Sequence, residues 1–295
     1  MRIGVVFPQL EIGADPDGVR EFAQAADAAG YDHLIAYDHV LGANPDRPGG
    51  FRGGYTHESL FHEPLVLFGY LAGLTQRIEL WTGILILPQR QTALVAKQAA
   101  EVAVLSRGRL VVGIGVGWNE VEYEALGEDF HTRGRRVEEQ VALLRDLWKH
   151  PSISFEGRFH RVSRAGINPL PPSRIPIWMG GEADRVMARI GRLADGWLLQ
   201  PRLREQPGGI APYLERIHEA AREAGRDPST IGLESRVSAA GMTVEQQLER
   251  AHEWREAGVT HLTLNTMDAG LASPAAHIEA IQAFKAAWDR EAPSA

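Results

Sequence analysis

The chain has 295 residues, of which 44% are hydrophobic and 23% are charged, and its formal net charge is -7. An acidic chain without a basic cluster argues against nucleic-acid binding, and the absence of cysteine excludes disulfides, thiolate metal sites and thiol nucleophiles. No apolar stretch approaches the roughly 20 residues of a membrane span, and the apolar run at the N-terminus is too short for a signal peptide, so we expect a cytoplasmic protein without membrane contact.

Short β-branched segments alternate with longer helical patterns along the chain, which is typical of βα units and a parallel sheet. The first strand is followed by a helix that Asp15-Pro16 opens and Gly30 ends. Near the other end of the chain, Thr243 and Gln246 form a capping box at the start of a helix. Eight strands are predicted in this way, at residues 2–7, 33–37, 77–87, 110–114, 175–179, 197–199, 231–237 and 260–265.

Eight strands, each with a helix, is the count of a closed (β/α)8 barrel. A doubly wound open sheet is the competing fold, but it usually has fewer strands and two edges to protect. Irregular stretches at residues 38–61 and 200–209 directly follow strands, whereas the proline-rich stretch 151–174 precedes one. We therefore predict one α/β domain over residues 1–295, a TIM barrel with loop insertions at its C-terminal face.

An acid and an imidazole stand side by side after the second strand, at Asp38 and His39. A carboxylate can fix the tautomer and orientation of a histidine that moves a proton near neutral pH. An aspartate that caps a turn, with the histidine in its hydrogen-bond network, would explain the pair equally well. The spacing therefore makes both residues candidates for catalysis without deciding the matter.

Glycines recur where the fourth strand ends, at Gly113, Gly115 and Gly117. They would let a planar or phosphorylated ligand approach the backbone, and they would also relieve crowding between barrel strands. The pattern is not the dinucleotide fingerprint, because Trp118 stands where that motif needs a third glycine.

A second glycine pair, Gly180-Gly181, follows Met179 at the end of the fifth strand and leads into a helix. Free backbone N–H groups at such a helix start favour a phosphate. The alternative is a tight turn whose helix is capped by Glu182 and Asp184.

Metal and hydrolase motifs are missing from the sequence. His57, His62 and Glu63 share one loop but match no H-E-x-x-H or other ligand spacing, so we expect no metal site. Gly-x-Ser-x-Gly is also absent, which gives a hydrolase no support. A metal-dependent sugar isomerase barrel stays as a distant alternative.

The segment 105–118, LSRGRLVVGIGVGW, resembles the strand-four signature of the bacterial luciferase-like monooxygenase superfamily. Further similar segments follow in the same order, namely YDH at 37–39, TGILILP at 82–88, AKQ at 96–98, FEGRF at 155–159, PIWMGG at 176–181 and ADGW at 194–197. The ordered set most resembles the branch of probable deazaflavin (coenzyme F420)-dependent oxidoreductases.

This resemblance implies a flavin or 5-deazaflavin at the C-terminal end of the barrel strands. Asp38 and His39 would lie by the ring, with His39 as proton donor or acceptor and Asp38 orienting it. Gly83 and Ile84, joined by a non-proline cis bond, would form the wall behind the ring. The other cofactor-binding positions that the resemblance implies are Gly115, Val116, Gly117 and Trp118 for the ring and its chain, and Met179, Gly180 and Gly181 around the phosphate.

The activity implied is hydride transfer between F420 and a small organic substrate, by a protein that is a homodimer. The close alternative is an FMN-dependent monooxygenase that uses reduced flavin and O₂, because the same fold holds both cofactors. A flavin carrier or sensor without catalysis is a third hypothesis, which the Asp38-His39 pair disfavours. F420 has an anionic tail beyond the phosphate at which FMN ends, and candidates to bind that tail are Arg133, Arg135 and Arg136.

The substrate class follows from a departure from the family pattern. Sugar-phosphate dehydrogenases of this superfamily carry a glutamate after the strand-four glycines, whereas this chain reads Trp118-Asn119-Glu120. A sugar phosphate is therefore disfavoured. The aromatic residues Trp118, Phe51, Tyr55 and Phe61 favour an apolar organic substrate.

Overall fold

The computed structural model describes residues 1–291, and its centre is a closed ring of parallel strands. The strands, in chain order, are β1 (Arg2–Val6), β2 (His33–Ala36), β3 (Glu79–Thr82), β4 (Leu85–Ile86), β5 (Leu110–Gly115), β6 (Ile153–Glu156), β7 (Arg161–Ala165), β8 (Ile177–Gly180), β9 (Gly196–Leu198), β10 (Gly232–Ser238) and β11 (His261–Asn265). Neighbours pair in the order β1-β2-β3-β5-β8-β9-β10-β11, and β11 returns to β1. The predicted eight-stranded TIM barrel is confirmed.

Helices surround this barrel and follow its strands. In chain order they are α1 (Gln9–Ile12), α2 (Pro16–Ala28), α3 (Pro64–Leu74), α4 (Thr92–Leu105), α5 (Glu120–Ala125), α6 (Arg133–Lys149), α7 (Asp184–Leu193), α8 (Ala211–Glu223), α9 (Val244–Glu256) and α10 (Pro274–Glu291). Asp15 caps α2, Gly30 follows that helix with a φ of 80°, and Thr243 with Gln246 caps α9 reciprocally, as predicted. No helix within residues 1–291 is long and apolar enough to cross a membrane.

Two local predictions differ from the structure. The third strand is broken into β3 and β4, which flank the peptide bond between Gly83 and Ile84. The stretch 151–174, predicted to be irregular, contains the antiparallel hairpin of β6 and β7. The side chain of His160 connects this hairpin to the barrel helices, since its Nδ1 lies 2.7 Å from Glu139 and its Nε2 lies 2.7 Å from the Thr92 hydroxyl.

Large side chains fill the barrel interior and leave space at one end. Near the N-terminal ends of the strands, Trp81, Trp178 and His261 pack with ring centres 4.7–5.2 Å apart. Burial lowers the pKa of His261 to about 4, so it is neutral at physiological pH. Ile35 and Leu198 belong to the same interior cluster. The cleft that carries polar side chains therefore opens at the C-terminal end of the strands.

Replacing Gly113 by alanine is expected to destabilise the barrel. A Cβ atom there would lie 2.0 Å from the carbonyl oxygen of Thr82 on the neighbouring strand, and backbone in a sheet cannot easily move away. Overpacking of this kind costs about 1–3 kcal/mol. Gly73→Ala is the matched control, because a Cβ atom at that α3 position meets nothing within 4 Å and alanine favours helix by about 1 kcal/mol. Urea unfolding of both variants measures the difference, and equal midpoints would contradict the prediction.

Candidate functional site

A cleft of about 360 Å³ lies at the C-terminal end of the barrel strands. Six of the residues predicted to bind cofactor line it, namely Asp38, His39, Gly83, Ile84, Gly117 and Trp118. The loop of residues 38–61 covers one side of the cleft through Tyr55, and β10 contributes Arg236. The cleft thus combines apolar walls with a small number of polar groups, as small-molecule sites do.

His39 is held by a carboxylate that the sequence analysis did not identify. Its Nδ1 lies 3.1 Å from Oε2 of Glu122, a fully buried residue of α5. The other oxygen, Oε1, accepts hydrogen bonds from the backbone N–H groups of Val40 at 2.7 Å and Leu41 at 3.3 Å. An ionised carboxylate only accepts hydrogen bonds, so Glu122 places a proton on Nδ1 and leaves Nε2 as the atom that can exchange one.

Asp38 has a different partner, and the predicted contact in which Asp38 orients His39 is wrong. The Asp38 side chain is fully buried and accepts hydrogen bonds from Nη2 of Arg90 at 2.6 Å and from the Ile86 N–H at 2.8 Å. Burial raises the pKa of Asp38, and Arg90 opposes that shift. Arg90 also contacts Glu63 at 2.7 Å. Asp38 therefore stabilises the wall of the cleft, because its side chain connects β4 to the loop after β2 by a hydrogen bond.

Aromatic rings surround the imidazole of His39. The ring centres of Phe61, Tyr55 and Trp118 lie 4.8, 5.2 and 5.6 Å from it. Phe51 stacks on Trp118 in turn, although Trp118 stays 47% exposed. The predicted aromatic loop thus shields the histidine from solvent and gives the cleft an apolar rim.

The Gly83–Ile84 peptide bond is cis, as the resemblance implied, and both residues line the cleft. The side chain of Ile84 fills the space where side chains at two glycines would stand, since a Cβ at Gly115 or Gly180 would lie 2.6 or 3.0 Å from it. The side chain of Ile86 fills the corresponding space at Gly117, where a Cβ atom would lie 2.6 Å from it. Packing against Ile84 and Ile86 is therefore sufficient to explain these glycines.

The residues predicted around the phosphate lie outside the cleft lining. Met179 is buried in the core, and the carbonyl of Gly181 accepts a hydrogen bond from Trp197 at 2.9 Å. The alternative in which Glu182 and Asp184 cap α7 is wrong, because within residues 1–291 no side chain caps that helix. These two acids pair with Arg202 and Arg216 instead. In the part of the chain that the structure describes, the first N–H groups of α7 thus have no side-chain acceptor.

Val116 also lies outside the cleft lining. It packs against the main core, and its carbonyl accepts a hydrogen bond from the Tyr123 hydroxyl at 2.7 Å. Its contribution is to connect the end of β5 with α5, the helix that carries Glu122.

One of the three arginines predicted to bind the F420 tail lies in a groove with other arginines. Arg133 stacks on Phe130 at 3.6 Å, and Arg136 pairs with Glu128. Arg135 lines a groove between α6 and α7 that also contains Arg185, Arg189, Arg192 and Glu138. The groove carries more positive than negative charge and is therefore suited to an anion.

Three functional candidates were not found from the sequence: Glu122, Arg90 and Arg236. Glu122 stands among Glu120 and Glu124, and it is the buried one of the three. The local spacing gives no sign of this difference, because the contact with His39 joins residues 83 positions apart. Within residues 1–291 no cluster of three or more metal-binding side chains is present.

Comparison with known proteins gives relatives across the whole chain. A family model described as luciferase-like monooxygenase matches residues 1–293. An uncharacterized protein of Mycobacterium tuberculosis is 34% identical over 231 residues, which are 76% of this chain and 77% of that protein. A phthiodiolone/phenolphthiodiolone dimycocerosates ketoreductase of Mycobacterium kansasii is 32% identical over 219 residues, covering 70% of this chain and 59% of the ketoreductase.

Solved structures share the fold at low sequence identity. An F420-dependent secondary alcohol dehydrogenase, in complex with an F420-acetone adduct, superposes with a TM-score of 0.77 at 20% identity, covering 97% of both chains. The oxygenating constituent of 3,6-diketocamphane monooxygenase from Pseudomonas putida, in complex with FMN, gives a TM-score of 0.63 at 18% identity over 86% of this chain and 71% of that one. The barrel of this chain is thus shared with proteins that bind F420 and with proteins that bind FMN.

Proposed function

Because this chain belongs to the luciferase-like monooxygenase family, we propose that it transfers a hydride between coenzyme F420 and a small organic substrate. The observation that carries the proposal is the buried Glu122–His39 pair, which leaves Nε2 of a cleft histidine free to exchange a proton. A carrier or sensor of flavin would not need such a pair. Similarity to a ketoreductase supports a substrate with a carbonyl or hydroxyl group.

The cleft has the chemistry that a planar heteroaromatic ring requires. Ile84, Ile86 and Trp118 offer apolar faces, while His39 and Arg236 offer polar groups that a ring with carbonyl oxygens can contact. The ring would lie against Gly83 and Ile84. Gly117 and Trp118 would contact the ring and its chain from the cleft lining, and Gly115 and Val116 would support them from behind. Met179, Gly180 and Gly181 would lie around the phosphate before α7.

When bound, a 5-deazaflavin supplies a ring carbon that accepts or gives a hydride. Oxidation of an alcohol also releases the hydroxyl proton, and His39 accepts that proton at Nε2. Glu122 stabilises the resulting imidazolium, because its carboxylate lies 3.1 Å from Nδ1. Tyr55, Phe61 and Trp118 exclude water from the imidazole. In the direction of reduction the same atom returns the proton to the carbonyl oxygen.

The second candidate is an FMN-dependent monooxygenase that uses reduced flavin and O₂. It is supported by the shared fold with the FMN-containing camphane monooxygenase. Both cofactors have a tricyclic ring, a ribityl chain and a first phosphate, so the cleft residues do not separate them. The positively charged groove at Arg135 and Arg185 distinguishes them instead, since only F420 extends beyond the phosphate.

Titration with F420 and FMN, followed by fluorescence quenching, tests the choice of cofactor. We expect F420 to bind more tightly, and its affinity to fall with added salt because exposed charges are screened over about 10 Å at 0.1 M. Arg135→Gln and Arg185→Gln should each weaken F420 binding roughly two- to fivefold and leave FMN binding unchanged. Arg20→Gln, on the surface of α2, is the charge-matched control. Tighter FMN binding without salt dependence for F420 would favour the monooxygenase.

We also expect a homodimer in solution, as the family resemblance implies. Light scattering with size-exclusion chromatography measures the mass, and a monomer at micromolar concentration would contradict this expectation.

A further inference from the structure

Arg236 lines the cleft, and its role is not explained by the proton transfer at His39. Among the residues that the structure describes, no other arginine or lysine lines this cleft. The guanidinium carbon lies 5.2 Å from the centre of the Tyr37 ring. One outer nitrogen, Nη2, would lie 3.5 Å from a Cβ atom at Gly83. The cation is therefore adjacent to the Gly83–Ile84 wall.

The carboxylate that faces this cation makes only a loose contact with it. The nearest carboxylate is Glu234, whose Oε1 approaches the guanidinium to 3.5 Å at Nε. That distance is longer than a charge-assisted hydrogen bond, and Oε1 accepts a hydrogen bond from the Thr263 hydroxyl at 2.7 Å instead. Arg236 Nε is buried without a hydrogen-bond partner within residues 1–291, and so is the second oxygen of Glu234. The pair is a loose one, and no carboxylate in that range hydrogen-bonds the outer nitrogens of Arg236.

Arg236 and His39 contact the cleft from different parts of the fold. Arg236 belongs to a barrel strand, β10, beside Tyr37 and Gly83, whereas His39 belongs to the loop after β2 and lies among Tyr55, Phe61 and Trp118. A substrate that exchanges a proton with Nε2 approaches the histidine. A ring that lay against Gly83 and Ile84 would come within reach of the guanidinium.

The charge of such a ring changes during the proposed reaction. A hydride consists of one proton and two electrons, so a ring that accepts it gains one negative charge, which its nitrogens and carbonyl oxygens share. We propose that Arg236 contacts this electron-rich edge of the ring, so that the cleft binds the reduced cofactor more tightly than the oxidised one. The inference rests on the proposed function, and it applies to F420 and to FMN alike. A protein charge near the ring is an established way to tune such a cofactor.

Anaerobic titration of both oxidation states tests the inference without any substrate. For the wild type and for each variant, the Kd of oxidised F420 is divided by the Kd of reduced F420. The same ratio is then measured with FMN. Arg236→Gln should lower this ratio about tenfold, the order expected for a lost charge-assisted hydrogen bond. For a two-electron couple that corresponds to a shift of about 30 mV in the potential of the bound ring. Arg236→Lys should keep most of the preference, because it keeps the charge.

A double variant separates ligand binding from folding. Arg236→Gln leaves Glu234 buried without its counter-charge, which destabilises the barrel. Arg236→Gln combined with Glu234→Gln removes both charges, and it should show the same lowered ratio with a thermal midpoint closer to that of the wild type. Arg20→Gln removes one exposed positive charge on α2 and should leave the ratio unchanged.

The outcomes are distinguishable. A lowered ratio in the single and double variants, with Arg236→Lys near the wild type, supports the inference. A ratio within twofold of the wild type in both Gln variants overturns it, and so does an equal loss of affinity for both oxidation states. If the wild type binds neither F420 nor FMN, the proposed function fails, and the inference fails with it.

Discussion

Glu122→Gln is expected to lower turnover by about 10² to 10⁴-fold while the protein stays folded. The N–H groups of Val40 and Leu41 both point at Oε1, so the amide oxygen of glutamine must face them. The NH₂ group then faces His39 Nδ1 and donates to it. This forces the proton of the neutral imidazole onto Nε2, the atom that has to accept a proton from an alcohol. Turnover of F420 with a panel of small alcohols and ketones measures the effect.

His39→Ala provides the control for this prediction. It should lower turnover by a similar factor, and combining it with Glu122→Gln should add little, because both changes remove the same proton transfer. A purely structural role for Glu122 would lower stability and leave the pH dependence of turnover unchanged. A Glu122→Gln variant with normal turnover and a normal pH profile would contradict the assignment.

Arg90→Met is expected to be the most destabilising of these substitutions, by about 3–5 kcal/mol. It leaves the carboxylate of Asp38 buried without its counter-charge, and Glu63 also loses a partner. In the variant, burial and the negative charge of Glu63 both raise the pKa of Asp38, and of the groups that lower it only the Ile86 N–H remains. The pKa of Asp38 should therefore rise further above its ordinary value. A raised pKa in the folded state means that protonation favours folding. The loss of unfolding free energy in Arg90→Met, relative to the wild type, should therefore become smaller as the pH falls towards the ordinary pKa of aspartate. Urea unfolding of both proteins at several pH values measures this loss.

Two variants serve as controls for the buried pair. Arg90→Met combined with Asp38→Asn removes the uncompensated charge and should recover part of the stability. Lys97→Met breaks an exposed pair with Glu101 on α4 and a hydrogen bond to the Asn168 carbonyl, and it should cost less than about 2 kcal/mol. Similar losses for Arg90→Met and Lys97→Met would show that the buried pair has no special importance.

Most of the barrel could be predicted from the sequence because its signals are local. Short segments of β-branched residues predict the strands. The helix ends are determined by neighbouring residues such as Asp15, Gly30 and the Thr243–Gln246 pair. The hairpin of β6 and β7 was missed because its strands are short, largely polar and followed by a proline-rich run. The positions of strands and helix ends can thus be predicted from a few neighbouring residues, through their backbone preferences and their turn-forming side chains.

The partners of the site residues could not be predicted, because tertiary contacts decide them. Asp38 and His39 are adjacent in sequence, yet Asp38 pairs with Arg90, 52 residues on, and His39 with Glu122, 83 residues on. Adjacent residues that leave a strand point to opposite sides, so one side chain enters the wall and the other enters the cleft. The glycines of β5 illustrate the same limit, since only the structure shows Ile84 and Ile86 packed against them.

The cofactor that co-purifies with the protein shows whether the cleft holds F420. The protein would be produced in a host that makes both F420 and FMN, isolated without added cofactor, and denatured to release its ligand for mass spectrometry. Arg236→Gln prepared in parallel would show whether recovery of the cofactor depends on the charge of Arg236. We expect F420 carrying its anionic tail. Recovery of FMN with no F420 would contradict it and would identify the site as that of a flavin enzyme.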